Sequence, residues 1–311
     1  MKLEVRSVAR HFGPVQAVDD LSFVLESGQI FGFVGPNGAG KTTTLRMLAT
    51  LDEPTSGDIL LDGVSIVDHP EVARRSCGYM PDGLPTHGDV TCTEYLDVFA
   101  RAYGLRGRDR RRVLADLEAF TGLEGLRDRP IDKLSKGQKQ RLSLARALVH
   151  DPGILLLDEP AAGLDPRARV ELRELLVALS ERGTAVLISS HILTELSEIC
   201  HGAVILDRGR RVRSGTIEEL LVSTRPHRTV RLRALGDREA LIRRLLALPG
   251  VEDLRPVSRE LEVDVVGGDD EIADALAMLV GEGFRIVEWR QVEGGLEDVF
   301  LRVTEGEGAV Q

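Results

Sequence analysis

A short apolar run, Ile30–Val34, leads into Gly35-Pro36-Asn37-Gly38-Ala39-Gly40-Lys41-Thr42, and from Thr42 to Leu48 the apolar residues recur at helical spacing. Strand, glycine-rich turn and helix in that order fit GxxxxGK[ST]. The glycines let backbone N–H groups turn inward around an anion. Lys41 adds a point charge suited to the β- and γ-phosphates of a nucleotide, and the Thr42 hydroxyl can ligate Mg²⁺. Thr43, at the helix N-terminus, can donate to an α-phosphate. Gly35, Pro36, Asn37, Gly38, Ala39, Gly40, Lys41, Thr42 and Thr43 are therefore candidate nucleotide contacts. The loop belongs to an α/β fold, at the carboxyl edge of a mainly parallel sheet.

A second strand-like run, Ile154–Leu157, ends in Asp158-Glu159. In an open α/β sheet that edge is where ligands bind. Two acids at a strand end would ordinarily be a solvated pair. Beside a phosphate loop, Asp158 is placed to hold Mg²⁺ and Glu159 to polarise an attacking water. The loop alone leaves GTPase, kinase and helicase open. A GTPase carries an NKxD motif, and the only Asn in the chain is Asn37.

The rest of the first two thirds alternates strand and helix. Met1–Val8 and Ala17–Leu25 read as strands, the segment from about Thr93 to Leu148 is mostly helical, Leu172–Leu179 lies in a helix, and Ala185–Ser189 is a strand. Strands alternating with helices imply a parallel sheet with helices packed on it. The character changes at Ser223–His227. From Val230 on, the pattern reads βαββαβα, with Leu296–Val303 as a closing helix, and suggests a small α+β, ferredoxin-like domain.

Composition narrows the partners. With 311 residues the chain can bury one sizeable core and a second, smaller one. A net charge of −10 argues against nucleic acid. Cys77, Cys92 and Cys200 are scattered without a CxxC pair, which fits a reducing compartment and no zinc site. No secretory leader is expected from the alternating N-terminus. No apolar run approaches the ~18–20 residues of a membrane helix, so action at a membrane would require another chain to span it.

The decisive string is Leu134-Ser135-Lys136-Gly137-Gln138-Lys139-Gln140-Arg141-Leu142. A Ser and a Gly at a helix start form an anion site in their own right. The string resembles the LSGGQ signature of ABC ATPases, and the likeness continues through SLARALVHDPGILLLDEPAAGLDP. The resemblance implies an ATP-hydrolysing, Mg²⁺-dependent cassette over residues 1–222, with a helical subdomain at about 85–148 and an accessory domain at 223–311. It implies a head-to-tail homodimer in which Ser135, Gly137 and Gln138 of one cassette cap ATP held by the other.

Further residues follow from the same resemblance. Phe12 takes the place of the aromatic that stacks on adenine. Asp165, in Ala162-Gly163-Leu164-Asp165, belongs to the loop that communicates across the dimer, and Ala162 stands where a hydroxyl residue is common. His191 matches the histidine that contacts the γ-phosphate, which makes Glu159, His191 and Lys41 the catalytic set. Asp82 stands where the family usually has Gln, and could accept from a Mg²⁺-bound water, so Thr42, Asp82 and Asp158 form the metal set. Lys136 replaces a glycine of the signature, a variant of exporter-type bacterial cassettes, and the closing string Gly295–Leu301 resembles the extension of multidrug-exporter cassettes. The implied protein is peripheral, docked through a separate permease on the cytoplasmic face of the membrane. A soluble ABC ATPase outside transport is the competing reading; the short interval between loop and signature, without heptads or cysteine clusters, disfavours repair and chromosome-structure members.

Overall fold

The computed structural model describes residues 1–84, 89–190, 198–222, 227–258 and 260–292. The chain divides into two compact units, Met1–Ile217 and Glu218–Gln311. Ile217 is still stitched to the first unit, its N–H donating to the His201 carbonyl at 3.2 Å. The division lies ahead of the 222/223 boundary that the resemblance implies.

Two sheets build the first unit. In one, β1 (Lys2–Phe12) pairs antiparallel with β2 (Val15–Glu26) on one edge and with β4 (Ser56–Leu61) on the other, and β5 (Val64–Ser65) extends it. Leu3, Val5, Leu21, Phe23 and Leu25 are buried while the intervening Glu4, Ser22 and Val24 are not, the period-2 burial of a sheet with one wet face. The opening strands thus stay out of the parallel sheet.

The other sheet has the order β10-β9-β3-β8-β7-β6. Its strands are β3 (Ile30–Val34), β6 (Cys77–Met80), β7 (Ile154–Leu157), β8 (Ala185–Ser190), β9 (Gly202–Asp207) and β10 (Arg210–Thr216). All pairings are parallel except β9 with β10. Every residue of β7 and β8 is buried, which is why Ile154–Leu157 and Ala185–Ile188 read as unbroken apolar runs instead of alternating. Leu45 and Leu48 of α1 (Lys41–Leu48) join Phe33, Ile154, Leu156 and Val204 with the antiparallel sheet's Leu21 and Phe23 in one core. Each such side chain contributes about 1.5–3 kcal/mol on burial.

A helical subdomain has its own core. Leu96 and Ala100 of α3 (Cys92–Ala102), Leu114 of α4 (Gly107–Phe120) and Leu142 of α5 (Lys136–Leu148) pack together, apart from α2 (Pro70–Ser76). Its helices start where capping chemistry dictates. The Thr91 hydroxyl accepts from the Glu94 N–H at 3.3 Å, and the Glu94 carboxylate accepts from the Thr91 N–H at 2.9 Å. After it, α6 (Pro166–Glu181) begins with Pro at its first position and Asp165 as cap. The chain leaves this unit into α7 (Ile217–Val222).

The second unit runs β11 (His227–Leu235), α8 (Arg238–Leu246), β12 (Val251–Val257), β13 (Glu260–Val266), α9 (Asp269–Gly281) and β14 (Arg285–Val292). Its antiparallel order, β12-β13-β11-β14, is a split-βαβ arrangement. Val230, Leu232, Val263 and Val265 face the helices in its core. On the opposite face, Arg231 donates to Glu262 and Arg255 to Asp264. The expected closing helix Leu296–Val303 and the string Gly295–Leu301 lie outside the described residues.

Candidate functional site

The loop from Gly35 to Gly40 leaves the carboxyl end of β3 and delivers Lys41 to the first turn of α1. Gly40 is indispensable to that path. Its φ is +98°, and a Cβ there would lie 2.5 Å from the Ala17 carbonyl oxygen. The first N–H groups of α1 have no partner within the helix and give its N-terminus a partial positive charge. Lys41 is only 6% exposed and lies back over the loop. Its ammonium donates to the Gly35 carbonyl at 2.7 Å and the Pro36 carbonyl at 3.2 Å, and pairs with Glu159 Oε1 at 3.3 Å.

Asp158 and Glu159 follow β7. The Asp158 N–H donates to the Met80 carbonyl at 2.8 Å, fixing the strand end against β6. Its carboxylate Oδ1 accepts from the Thr42 hydroxyl at 3.1 Å and from the Ser189 hydroxyl at 2.8 Å. The same Ser189 Oγ accepts from the Glu159 N–H at 2.9 Å. One serine at the end of β8 therefore ties both acids together. Glu159 holds a left-handed φ of 47°, a conformation that costs a non-glycine residue about 1–2 kcal/mol. Strain of this kind persists where surrounding bonds over-determine it.

Burial pushes the Asp158 carboxyl above its ordinary value of 3.8, opposed by the two hydroxyl donors and reinforced by the nearby charges of Glu159 and Asp82. The residue is 3% exposed. A buried carboxylate with a hydroxyl oxygen at 3.1 Å is a hard oxygen donor set, and a divalent cation would favour its ionised form. Thr42 and Asp158 thus fit Mg²⁺. Among the described residues no three His, Cys, Asp or Glu side chains gather as a protein-only metal site.

A cleft of about 610 Å³ opens onto Lys41, Thr42 and Glu159, with Asp158 and Ser189 outside its lining. Asn37, Gly38, Gly40, Lys41, Thr42 and Thr43 line it, as do Phe12, Asp82, Glu159 and Arg208. Phe12 is 47% exposed at the end of β1, with the Arg10 guanidinium 4.5 Å from its ring centre. The Asp82 backbone is held from the helical subdomain, its carbonyl accepting from Gln140 Nε2 at 3.5 Å.

Ser135, Gly137, Gln138 and Asp165 do not line this cleft. They gather elsewhere. Ser135 caps α5, its Oγ accepting from the Gln138 N–H at 3.3 Å while Gln138 Oε1 accepts from the Ser135 N–H at 3.0 Å. Asp165 caps α6, accepting from the Ala168 N–H at 2.9 Å. A Cβ on Gly137 would lie 3.3 Å from the Ala168 Cβ, and one on Gly163 would strike the Lys136 ammonium. The signature and the loop before α6 are thus neighbours within one chain. His191 lies outside the described residues. Ser189 and Arg208 carry no local motif and had no role in the sequence reading.

Residues 18–162 match the family model described as ABC transporter. The chain is 34% identical to Nod factor export ATP-binding protein I of Ralstonia nicotianae, over 97% of this chain and 93% of that protein. It is 36% identical to the protein of the same description from Cupriavidus metallidurans, over 97% of both. Among solved structures it is similar to an ATP-binding subunit of an ABC transporter, with a TM-score of 0.66 and 32% identity, covering 72% of this chain and 93% of that one. Its fold also matches a dimeric bacterial ABC transporter cassette, with a TM-score of 0.63 and 24% identity over 69% of this chain and 98% of that one.

Proposed function

Because the chain belongs to the ABC transporter ATPases as an ATP-binding subunit, we propose that it powers export through a separately encoded permease, by ATP-driven closure of a cassette homodimer at the cytoplasmic face of a membrane. In this reading the base of ATP lies against Phe12. Its phosphates lie over the backbone from Gly35 through Pro36, Asn37, Gly38 and Ala39 to Gly40, with Lys41 and Thr43 completing the cradle. Thr42 and Asp158, with Asp82 acting through water, hold Mg²⁺, which when bound neutralises phosphate charge. Glu159 polarises the attacking water, and His191 contacts the γ-phosphate. Ser135, Gly137, Gln138 and Asp165 of one protomer complete the site of the other, and closure passes to the permease through the Asp82 loop.

The observation that carries this reading is the wiring of one cleft from three strand ends. Lys41 pairs with Glu159, Thr42 donates to Asp158, and Ser189 joins the two acids. The separation of the signature from that cleft supports a site shared by two protomers. A groove of about 600 Å³, lined by Pro81 next to Asp82 and by Arg74, Tyr79, Phe99 and Tyr103, supports a route from nucleotide to permease. The export proteins among the relatives support the direction of transport. Among the described residues no helix is long and apolar enough to cross a membrane.

Purified full-length chain with Mg²⁺ and ATP should hydrolyse slowly, and faster when co-purified with a permease. No hydrolysis in either form would sink the ATPase assignment. Hydrolysis without any permease association would sink the transport role and leave the ATPase standing.

A further inference from the structure

The turn between β9 and β10 carries an ill-suited residue for its shape. Asp207 and Arg210 pair across the hairpin, and the two residues between them, Arg208 and Gly209, have φ values of 47° and 82°. Two central residues with positive φ make a type I′ turn, which favours Asn-Gly, Asp-Gly or Gly-Gly. Arg at the first position bears the cost of left-handed backbone without the local side-chain hydrogen bond that lets Asn or Asp tolerate it. Hairpin stability alone would select another residue, which makes the position a candidate for a functional role that its surroundings must decide.

The surroundings of the turn suggest what that function is. The Gly209 N–H donates to the Ala39 carbonyl of the phosphate loop at 3.2 Å, and the Gly209 carbonyl accepts from the Asp19 N–H at 2.8 Å. Arg210 Nε donates to Asp19 Oδ2 at 2.9 Å. A Cβ on Gly209 would lie 2.9 Å from the Ala17 carbonyl oxygen. Backbone bonds thus pin the turn to the loop on one side and to β2 on the other. The Arg208 side chain is 92% exposed, lies 3.9 Å from the Asp207 carboxylate, and lines the nucleotide cleft.

Building on the ATP-binding reading, we propose that Arg208 is a further nucleotide-binding residue, holding the nucleoside end of ATP beside Phe12. The turn packs on Gln16 and Ala17, in the strand that continues the hairpin bearing Phe12. The phosphate end already has Lys41 and the N-terminus of α1. A guanidinium is planar and weakly hydrated, suited to stacking on a purine face and to donating to ring nitrogens or ribose hydroxyls.

Arg208→Asn in the full-length chain separates this role from a structural one, because Asn suits a type I′ turn. Calorimetry would measure affinity for Mg²⁺-ATP and for inorganic tripolyphosphate, beside thermal unfolding. The expected result is an ATP Kd raised about two- to fivefold, an unchanged tripolyphosphate Kd, and a Tm equal to or above that of the wild type. Unchanged ATP affinity overturns the proposal. So does a proportionate loss for tripolyphosphate, which would assign the arginine to the phosphates, and so does a lowered Tm, which would make its role structural. Failure of the wild-type chain to bind ATP would instead overturn the reading on which the proposal rests.

Discussion

Lys41 and Glu159 are ion-paired at 3.3 Å although they follow different strands of the parallel sheet, β3 and β7, with β8 between them. Neither position is close to the other in sequence, and only the strand order makes them meet. In the proposed function this pair sets a cation meant for phosphate against a carboxylate meant for water, and phosphate that took up the Lys41 charge would free the Glu159 oxygen to accept from a water.

Glu159→Gln should therefore preserve ATP binding while lowering turnover by ~10²–10⁴, the usual loss on removing a general base. The amide keeps the shape and the left-handed backbone at 159 but lacks basicity. Lys41→Ala should differ in kind, weakening Mg²⁺-ATP binding itself, because it removes charge and leaves the backbone cradle. Calorimetry for binding and a phosphate-release assay for turnover distinguish the two. Near-normal hydrolysis by Glu159→Gln, or unaltered nucleotide affinity in Lys41→Ala, would contradict these roles.

Asp158 makes a prediction about stability. Burial raises its folded value above 3.8, so between 3.8 and the folded value the native state binds more protons than the unfolded one. Stability then falls as pH rises through that window. Asp158→Asn has no charge to desolvate and can still accept from Thr42 and Ser189. Without Mg²⁺, the variant should unfold at a higher temperature than the wild type at about pH 8, and the gap should shrink toward about pH 4. Mg²⁺ should narrow it by stabilising only the wild type. A gap independent of pH would show that ionisation of Asp158 does not destabilise the fold.

Ser189 offers a test of a residue that no motif announces. Its hydroxyl donates to Asp158 and accepts from the Glu159 N–H. Ser189→Ala removes one of the bonds that hold the Asp158 value down and leaves a buried N–H unpaired, at a cost of about 1–3 kcal/mol. The expected outcome is a turnover rate reduced about tenfold, with its acid limb displaced to higher pH. A rate–pH profile that superimposes on the wild type would remove Ser189 from the site.

The contrast between Ser189 and Asp158 explains what could be read in advance. Asp158 and Glu159 follow an apolar run and stand in register with a motif, so chain-local pattern exposes them. Ser189 ends an equally apolar run, but its role arises only because β8 lies between β3 and β7, a strand order that no local pattern encodes. Arg208 is hidden for a related reason: its turn gains meaning from backbone bonds to Ala39 and Asp19, far away in sequence. The opening strands were legible as strands, yet the β4 partner of β1 was not, because antiparallel pairing across the phosphate loop is a tertiary choice. The alternation of Val230 and Leu232 with charged neighbours exposed the strand pattern of the second unit, whereas its strand order came only with the fold.

Asp82 gives the sharpest test of coupling between nucleotide and permease. It lines the cleft beside Lys41, Thr42 and Glu159, and its charge contributes to pushing the Asp158 carboxyl upward. Its backbone carbonyl is held by Gln140 of α5, while the preceding Pro81 lines the groove bounded by α3. The residue thus stands between the nucleotide cleft and that groove. Another anion near Asp158, Glu159 and a triphosphate costs energy unless an ion or water screens it. Gln at this position is neutral, one methylene longer, and offers both a donor and an acceptor. Asp82→Gln should therefore retain ATPase activity. Asp82→Ala, which keeps the Gln140 contact to the backbone but removes the side-chain acceptor, should lower transport more than basal hydrolysis. Both activities can be measured in vesicles reconstituted with the permease. Transport by Asp82→Ala at the wild-type rate would reduce Asp82 to a solvated loop acid and end its coupling role.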